Sequence, residues 1–166
     1  MDRARGPVGP PVPKRLRATT AAELGEIEGL IHDAYFDPEA LAFDEQEHTL
    51  TVPFSQEDHD WRGDEPPWEP LGRSWWYEEH RVPFYEGRLT IHHVTAVELP
   101  PDFSDIWMLV YIRYDEVRRR VLLDALVKIH ASVERLEVTA ELTDRVVKDI
   151  RRRSYRFFHG ERDQIM

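Results

Sequence analysis

Three stretches within residues 87–142 alternate between apolar and polar side chains, and a fourth, residues 106–114, is apolar at nearly every position; this pattern commits the chain to a fold built on a β-sheet. Within residues 87–99, Leu89 and Ile91 fall on one face of an extended chain, while Thr90 falls on the other. A period of two with β-branched residues is typical of a half-buried strand. Short connections between successive segments favour antiparallel neighbours. We therefore predict antiparallel strands at residues 87–99, 106–114, 120–129 and 132–142.

One of these segments leaves an alternative open. The sequence VLLDALVKI, at residues 121–129, also has apolar residues at i and i+4, which is the spacing of a helix face. The alternation of Val121, Leu123 and Ile129 favours a strand for residues 120–129, with a helix over residues 121–133 as the alternative.

The sheet is expected to lie between two amphipathic helices. Thr20 and Glu23 have the spacing of a capping box, and apolar residues at helical spacing follow, so we predict a helix over residues 21–35. Residues 144–158 carry Val146, Val147 and Ile150 on one predicted face and a run of arginines near the end, which favours a second helix. On that predicted helix, we expect Ile150 to be buried and Arg152 to be an ordinary surface residue.

The predicted fold class is thus α+β, with an antiparallel meander of six to seven strands and both helices packed on it. A hairpin of residues 40–44 and 48–54 extends the sheet. Residues 1–18 are rich in proline, glycine and arginine, which predicts a disordered tail. The single domain is expected to cover residues 19–160, with residues 161–166 as a flexible C-terminus.

Composition excludes several classes of function. The 166 residues include no cysteine, so thiolate zinc sites and cysteine nucleophiles are ruled out. No apolar run approaches the roughly 20 residues of a membrane-spanning helix. No phosphate-binding loop or serine nucleophile motif occurs, and we expect no cofactor. Cysteine-free composition is compatible with a reducing cytoplasm, which is the predicted location. The oligomeric state stays open.

Residues 55–86 form the most unusual segment, because they hold four of the five tryptophans, four prolines and nine acidic residues. A long connection inside a small domain usually has a function of its own. We therefore predict a non-enzymatic interaction module that binds a basic protein partner. The alternative is that the tryptophans cover one face of the sheet, with Trp75 and Trp76 the more strand-like. The candidate binding residues are Trp61, Trp68, Trp75, Trp76 and Tyr77.

A metal site is the second hypothesis, as the centre of a small metal-dependent hydrolase within residues 58–93. Histidines and acids stand close together at Asp58-His59-Asp60 and at Glu78-Glu79-His80, and these supply nitrogen and oxygen ligands. The candidate ligands are His59, His80 and His93. No HxH or HExxH spacing accompanies them, so solvated acidic turns explain the same residues.

Binding to nucleic acid through the two basic ends is the third hypothesis. Arg151, Arg152 and Arg153 lie among aromatic residues, as on a surface that stacks bases. The formal net charge of −10 repels a polyanion, so nucleic acid is an improbable partner.

The order of elements adds one resemblance. A helix that ends in Ile31-His32-Asp33-Ala34, followed by a hairpin and a meander, is similar in outline to a family of small bacterial domains of unknown function and to immunity-type proteins of bacterial competition systems. The similarity covers residues 32–142. It implies an antiparallel α+β fold and assigns no functional residue.

Overall fold

A computed structural model describes residues 13–57, 68–99, 107–125, 128–155 and 161–165 of the chain. The described part of the chain is mostly β, with 63% of its residues in strands and 9% in helices. Across the described ranges there is one α-helix, α1 (Leu24–Ile31), and there are two antiparallel sheets. The predicted α+β fold, with two amphipathic helices on a single meander, is therefore wrong.

The strands in chain order are β1 (Lys14–Ala18), β2 (Tyr35–Phe36), β3 (Ala42–Asp44), β4 (Thr49–Gln56), β5 (Glu69–Arg73), β6 (Tyr77–Ile91), β7 (Val94–Glu98), β8 (Trp107–Met108), β9 (Tyr111–Asp115), β10 (Arg120–Asp124), β11 (Lys128–Val133), β12 (Val138–Tyr155) and β13 (Glu161–Ile165).

The larger sheet is built around β6 and β12, which pair antiparallel from Val138 opposite Ile91 to Tyr155 opposite Tyr77. Its strand order is β1-β12-β6-β4-β2-β8, with β13 beside β12, β3 beside β4 and β5 beside β6. The smaller sheet has the order β7-β11-β10-β9. The predicted strand at residues 87–99 is therefore divided between the sheets, with a corner at His92 and His93 where His93 has a φ of 57°.

The first helix begins at Leu24 rather than at residue 21 and is shorter than predicted, although the contacts between Thr20 and Glu23 expected of a capping box do form in the turn before it. The backbone N–H of Thr20 donates to the Glu23 carboxylate at 3.1 Å, and the N–H of Glu23 donates to the Thr20 hydroxyl at 3.4 Å. The helix α1 then buries four apolar residues against the sheets, and it ends before Asp33, whose φ is 63°. Its buried residues are Leu24, Ile27, Leu30 and Ile31.

The second predicted helix, over residues 144–158, does not form, because β12 continues as a strand to Tyr155. Bulges between Leu142 and Lys148 break the alternation of β12. They leave Val146 and Val147 nearly half exposed, while Ile150 is buried as expected. Arg152, predicted on the surface, is also buried.

The same bulges carry β12 between two separate cores. Leu89 and Ile91 of β6 face the main core, whereas Val82 and Phe84 point to the opposite face, because side chains alternate along a strand. We call these the inner and the outer face. Nine positions separate Ile91 from Val82, while twelve separate their partners, Val138 and Ile150. The surplus of three residues in β12 lets it follow β6 from one core to the other.

Both ends of the chain differ from the prediction. Residues 14–18, assigned to the disordered tail, form β1 and pair with β12, and Ala18 is fully buried. Residues 161–165, expected to be flexible, form β13 on the opposite end of the same edge. Residues 1–12 lie outside the described part. In the described ranges, no helix has the length and the apolar character needed to cross a membrane.

In the smaller sheet, the preference for a strand over a helix is confirmed in one segment. Residues 120–124 are a strand, as favoured over the helix, and they pair with Lys128–Val133. The segment predicted as one strand at 120–129 is therefore a hairpin, and a turn at residues 116–119 connects it to β9.

Candidate functional site

The turn between β5 and β6 presents two adjacent tryptophans at its tip. The N–H of Ser74 donates to the carbonyl of Tyr77 at 2.8 Å, which closes a tight turn with Trp75 and Trp76 in the middle. Trp75 is 76% exposed and Trp76 is 40% exposed. The expectation that these two residues are strand-like is wrong, because each lies in the bend itself.

Two tyrosines form a platform beneath this turn. Tyr77 and Tyr155 are directly opposite each other on β6 and β12, with ring centres 6.3 Å apart. The ring centre of Trp76 lies 5.1 Å from that of Tyr77 and 5.5 Å from that of Tyr155. The guanidinium of Arg153 stacks on Tyr77 at 4.4 Å from the ring centre. We call Trp75, Trp76, Tyr77 and Tyr155 the aromatic tip.

Ion pairs frame the aromatic tip and hold its strands in register. Arg73 and Glu78 pair across the β5–β6 hairpin at 3.2 Å. The Nε of Arg153 donates to Glu79 Oε1 at 2.9 Å. The Arg73–Glu78 pair is exposed and adds little stability, whereas the Arg153–Glu79 pair is partly buried. Both pairs cancel the nearby charges, so the tip itself is an aromatic surface without strong local charge.

Trp68 belongs to a different environment. It packs on the outer-face core of Val82, Phe84 and Ile150, and the Arg152 guanidinium lies 4.7 Å from its ring centre. The explanation that tryptophans cover one face of the sheet therefore describes Trp68, while Trp75 and Trp76 are on the surface. Trp61 lies outside the described residues.

Arg152 is held in the outer face between an aromatic ring and a carboxylate. It is 8% exposed, and its Nη1 donates to Glu57 Oε2 at 2.8 Å. His80 is its partner on β6, and the buried Nδ1 of that histidine has no hydrogen-bond partner in the part of the chain that is described. Because Arg152 is buried and Arg151 is exposed on the opposite face, the three consecutive arginines do not form one basic surface.

The candidate metal ligands are not brought together. His80 and Ile91 lie on the same extended strand, eleven positions apart, which corresponds to about 36 Å. His93 stands just beyond Ile91, so His80 and His93 cannot share an ion. His59 lies outside the described residues. Within the described ranges, no three histidine, aspartate or glutamate side chains are placed to hold a metal.

His93 instead stabilises the corner between the sheets. Its Nε2 lies 2.8 Å from Glu137 Oε2, and Arg17 contacts the other oxygen of Glu137 at 2.9 Å. The hydrogen bond from His93 holds the pKa of Glu137 below its usual value. Burial lowers the pKa of the neighbouring His92, whose Nε2 contacts the Thr139 hydroxyl at 3.1 Å. These contacts explain the two histidines as structural residues.

Sequence reasoning missed a cavity of about 280 Å³ on the outer face, where β2, β4, β6 and β12 meet. Its lining includes Tyr35, Ser55, Glu86 and Lys148. In the predicted C-terminal helix, Lys148 was one of several cations near the helix end, and no motif marks it. Only the pairing of β12 with β6 reveals its position.

Comparisons with protein-family models, with curated proteins and with solved structures found no match to this chain. The resemblance of residues 32–142 to small bacterial domains and immunity-type proteins therefore stays a prediction.

Proposed function

We propose that this protein is a non-enzymatic interaction module of the cytoplasm that binds a basic protein partner through the aromatic tip. The observation that carries the proposal is the exposure of Trp75 beside Trp76. Favoured two-residue hairpin turns use glycine or asparagine at positive φ, and neither tryptophan has a positive φ. Turn geometry therefore gives no reason for tryptophan at these two positions.

Contact chemistry supports the same proposal. Tryptophan and tyrosine offer a large contact area at a low cost in side-chain entropy, and they are enriched among residues that dominate binding energy. Trp76 is already oriented by Tyr77 and Tyr155, so little ordering is required when a partner docks.

The charge of the chain supports a basic partner. The formal net charge is −10, and residues 55–86 contribute nine acids against three arginines. Since the charges beside the tip are paired, their role is long-range attraction, which accelerates the approach of a positively charged protein. We expect the association rate to fall as salt is added, because screening shortens the range of this attraction.

The test compares the double variant Trp75→Ala/Trp76→Ala with Val117→Ala. Val117 is 94% exposed in the turn between β9 and β10. The Val117→Ala substitution therefore removes an exposed apolar side chain at a turn far from the aromatic tip in sequence. Val117→Ala should melt at the temperature of the wild type, and the double variant should stay folded with a slightly lower Tm, because Trp76 loses its contacts with Tyr77 and Tyr155. Affinity capture from a lysate of the source organism then identifies proteins retained by the wild type, and each is purified and titrated directly.

The proposal expects a basic protein whose Kd rises at least about tenfold with the double variant, corresponding to about 1.4 kcal/mol. Val117→Ala should leave this Kd unchanged. A partner that binds the double variant as tightly as the wild type would place the interface elsewhere. If no captured protein distinguishes the double variant from Val117→Ala, the proposal is rejected.

A further inference from the structure

The cavity on the outer face contains a lysine in an unusual setting. The Nζ of Lys148 lies 4.0 Å from the ring centre of Tyr35 and 5.4 Å from that of Phe84. Both distances are typical of an attraction between a cation and an aromatic ring. Lys148 faces outward because the bulges in β12 place it opposite Phe84.

This ammonium group has no carboxylate partner in the described part of the chain, where no Asp or Glu oxygen lies within ion-pair distance of it. Burial lowers the pKa of Lys148 from 10.5 to about 8, so the group is still mostly charged at neutral pH. Half-buried charges in proteins are normally paired, because removing a charge from water is costly. The two aromatic rings compensate for this only in part.

Two acidic residues line the same cavity, and both are engaged elsewhere. Glu86 pairs with Arg145 at 3.5 Å. Asp37 accepts a hydrogen bond from the backbone N–H of Glu39 at 2.9 Å. Neither carboxylate neutralises Lys148. Their presence does, however, disfavour a ligand with two negative charges at this site.

We propose that this cavity binds a small organic monocarboxylate, whose carboxylate pairs with the Lys148 ammonium and whose apolar body lies against Tyr35 and Pro53. The volume of about 280 Å³ is close to the lower end of ligand pockets, which start near 300 Å³, so the ligand is about the size of a single ring. A single ammonium balances the one charge of a carboxylate, whereas a phosphate group of about −1.5 to −2 would remain partly uncompensated beside Glu86 and Asp37.

This site is separate from the aromatic tip, which lies beyond His80 at the end of β6 and β12. It therefore stands independently of the proposed protein interaction. The double variant Trp75→Ala/Trp76→Ala should bind the carboxylate as the wild type does.

Benzoate, benzamide and benzylamine serve as probes, since they share a ring and differ in charge. Titration calorimetry and protein NMR should detect saturable binding of benzoate to the full chain. Benzamide should bind at least about tenfold more weakly, as expected when a charge-assisted hydrogen bond is lost. Benzylamine should not bind, because its cation repels Lys148.

The matched variants are Lys148→Met, which keeps an apolar stem, and Lys128→Met, which removes an exposed lysine of the smaller sheet. Benzoate should bind Lys148→Met at least about tenfold more weakly and Lys128→Met unchanged. Raising the pH above about 8 should weaken binding to the wild type, because the ammonium loses its proton.

A second measurement does not depend on a variant. The NMR signal of the Lys148 side chain, followed with labelled lysine, should shift on addition of benzoate, and its pKa should rise because a bound anion favours the charged form. Equal affinity for benzoate and benzamide would overturn the proposal. So would an unchanged Lys148 signal in the presence of saturating benzoate, or the absence of saturable binding.

Discussion

Replacing Gly87 by alanine should disrupt the main core at one identifiable contact. Gly87 lies on β6 directly opposite Phe54 of β4, and the Phe54 ring covers it. A Cβ at this position would lie 2.2, 2.3 and 2.6 Å from three carbon atoms of that ring. Ordinary carbon contacts begin at 3.4 Å, so the ring must retreat by more than 1 Å. Phe54 is almost fully buried, which leaves little room for this movement.

The expected loss in the free energy of unfolding follows from two limits. Overpacking a core costs about 1–3 kcal/mol, and losing a buried phenylalanine side chain altogether costs about 3–5 kcal/mol. A displaced ring loses part of its packing, so Gly87→Ala should lower the free energy of unfolding by about 3 kcal/mol. For a chain of this length, that corresponds to a Tm lower by about 6–12 °C.

Urea unfolding measures this value, and two further variants isolate its cause. Gly29→Ala makes the same chemical change in α1 at an exposed position with nothing within 4 Å, and it should stabilise the protein by about 0.5–1 kcal/mol. In a Phe54→Ala background, Gly87→Ala should have almost no further effect, because the clashing ring is gone. A cost under about 0.5 kcal/mol for the single variant, or strict additivity of the two changes, would refute the reasoning.

Three other outcomes are expected. Arg152→Ala should lower the free energy of unfolding by about 3 kcal/mol because it leaves the Glu57 carboxylate unpaired, whereas Arg151→Ala on the exposed face should change it by under about 0.5 kcal/mol. Equal urea midpoints for the two arginine variants would contradict this. Ile150→Ala should cost about 2–4 kcal/mol in the same assay, and a smaller cost than that of Arg151→Ala would show that the outer-face core is not packed. Between pH 8 and 10.5, the wild type should gain stability relative to Lys148→Met as the pH rises, because the folded lysine has released its proton and the unfolded one has not. A parallel dependence of the two proteins on pH, measured by urea unfolding, would contradict the lowered pKa.

Local patterns identified extended residues of the smaller sheet but not its separate strands. Val121 and Leu123 lie in a strand as predicted, whereas Ile129, assigned to the same strand, lies on β11 opposite Leu123. The hydrogen bonds between Thr20 and Glu23 likewise form as their spacing indicates, in the turn that precedes α1. In each case the information lies within about ten residues of the element, where propensity and turn chemistry act.

The larger sheet was not predictable in the same way, and β12 shows why. Val146, Val147 and Ile150 have the spacing of a helix face, yet they lie on a strand. Bulges in that strand, and not helical turns, determine which of these side chains are buried. The segment is extended because β6, more than fifty residues earlier in the chain, provides its hydrogen-bond partners. Non-local pairing of this kind overrides local preference.

The candidate sites were likewise predictable only where the information is local in the sequence. Composition predicts that residues 55–86 carry a surface, since tryptophan is concentrated there, but it does not distinguish exposed Trp75 from partly buried Trp68. That difference depends on which face of β6 each residue meets. Lys148 carries no signal in sequence, because its environment is assembled from strands distant in the chain.

The three surplus residues of β12 also limit how the length of this protein can change. Each insertion or deletion of a single residue between Leu142 and Lys148 would exchange the two faces of β12 from there to Tyr155. Ile150 would then point to solvent and Arg151 into the outer-face core. Changes of two residues preserve the orientation of every later side chain. Homologous chains are therefore expected to differ in length here by even numbers, while the loops elsewhere vary without that restriction.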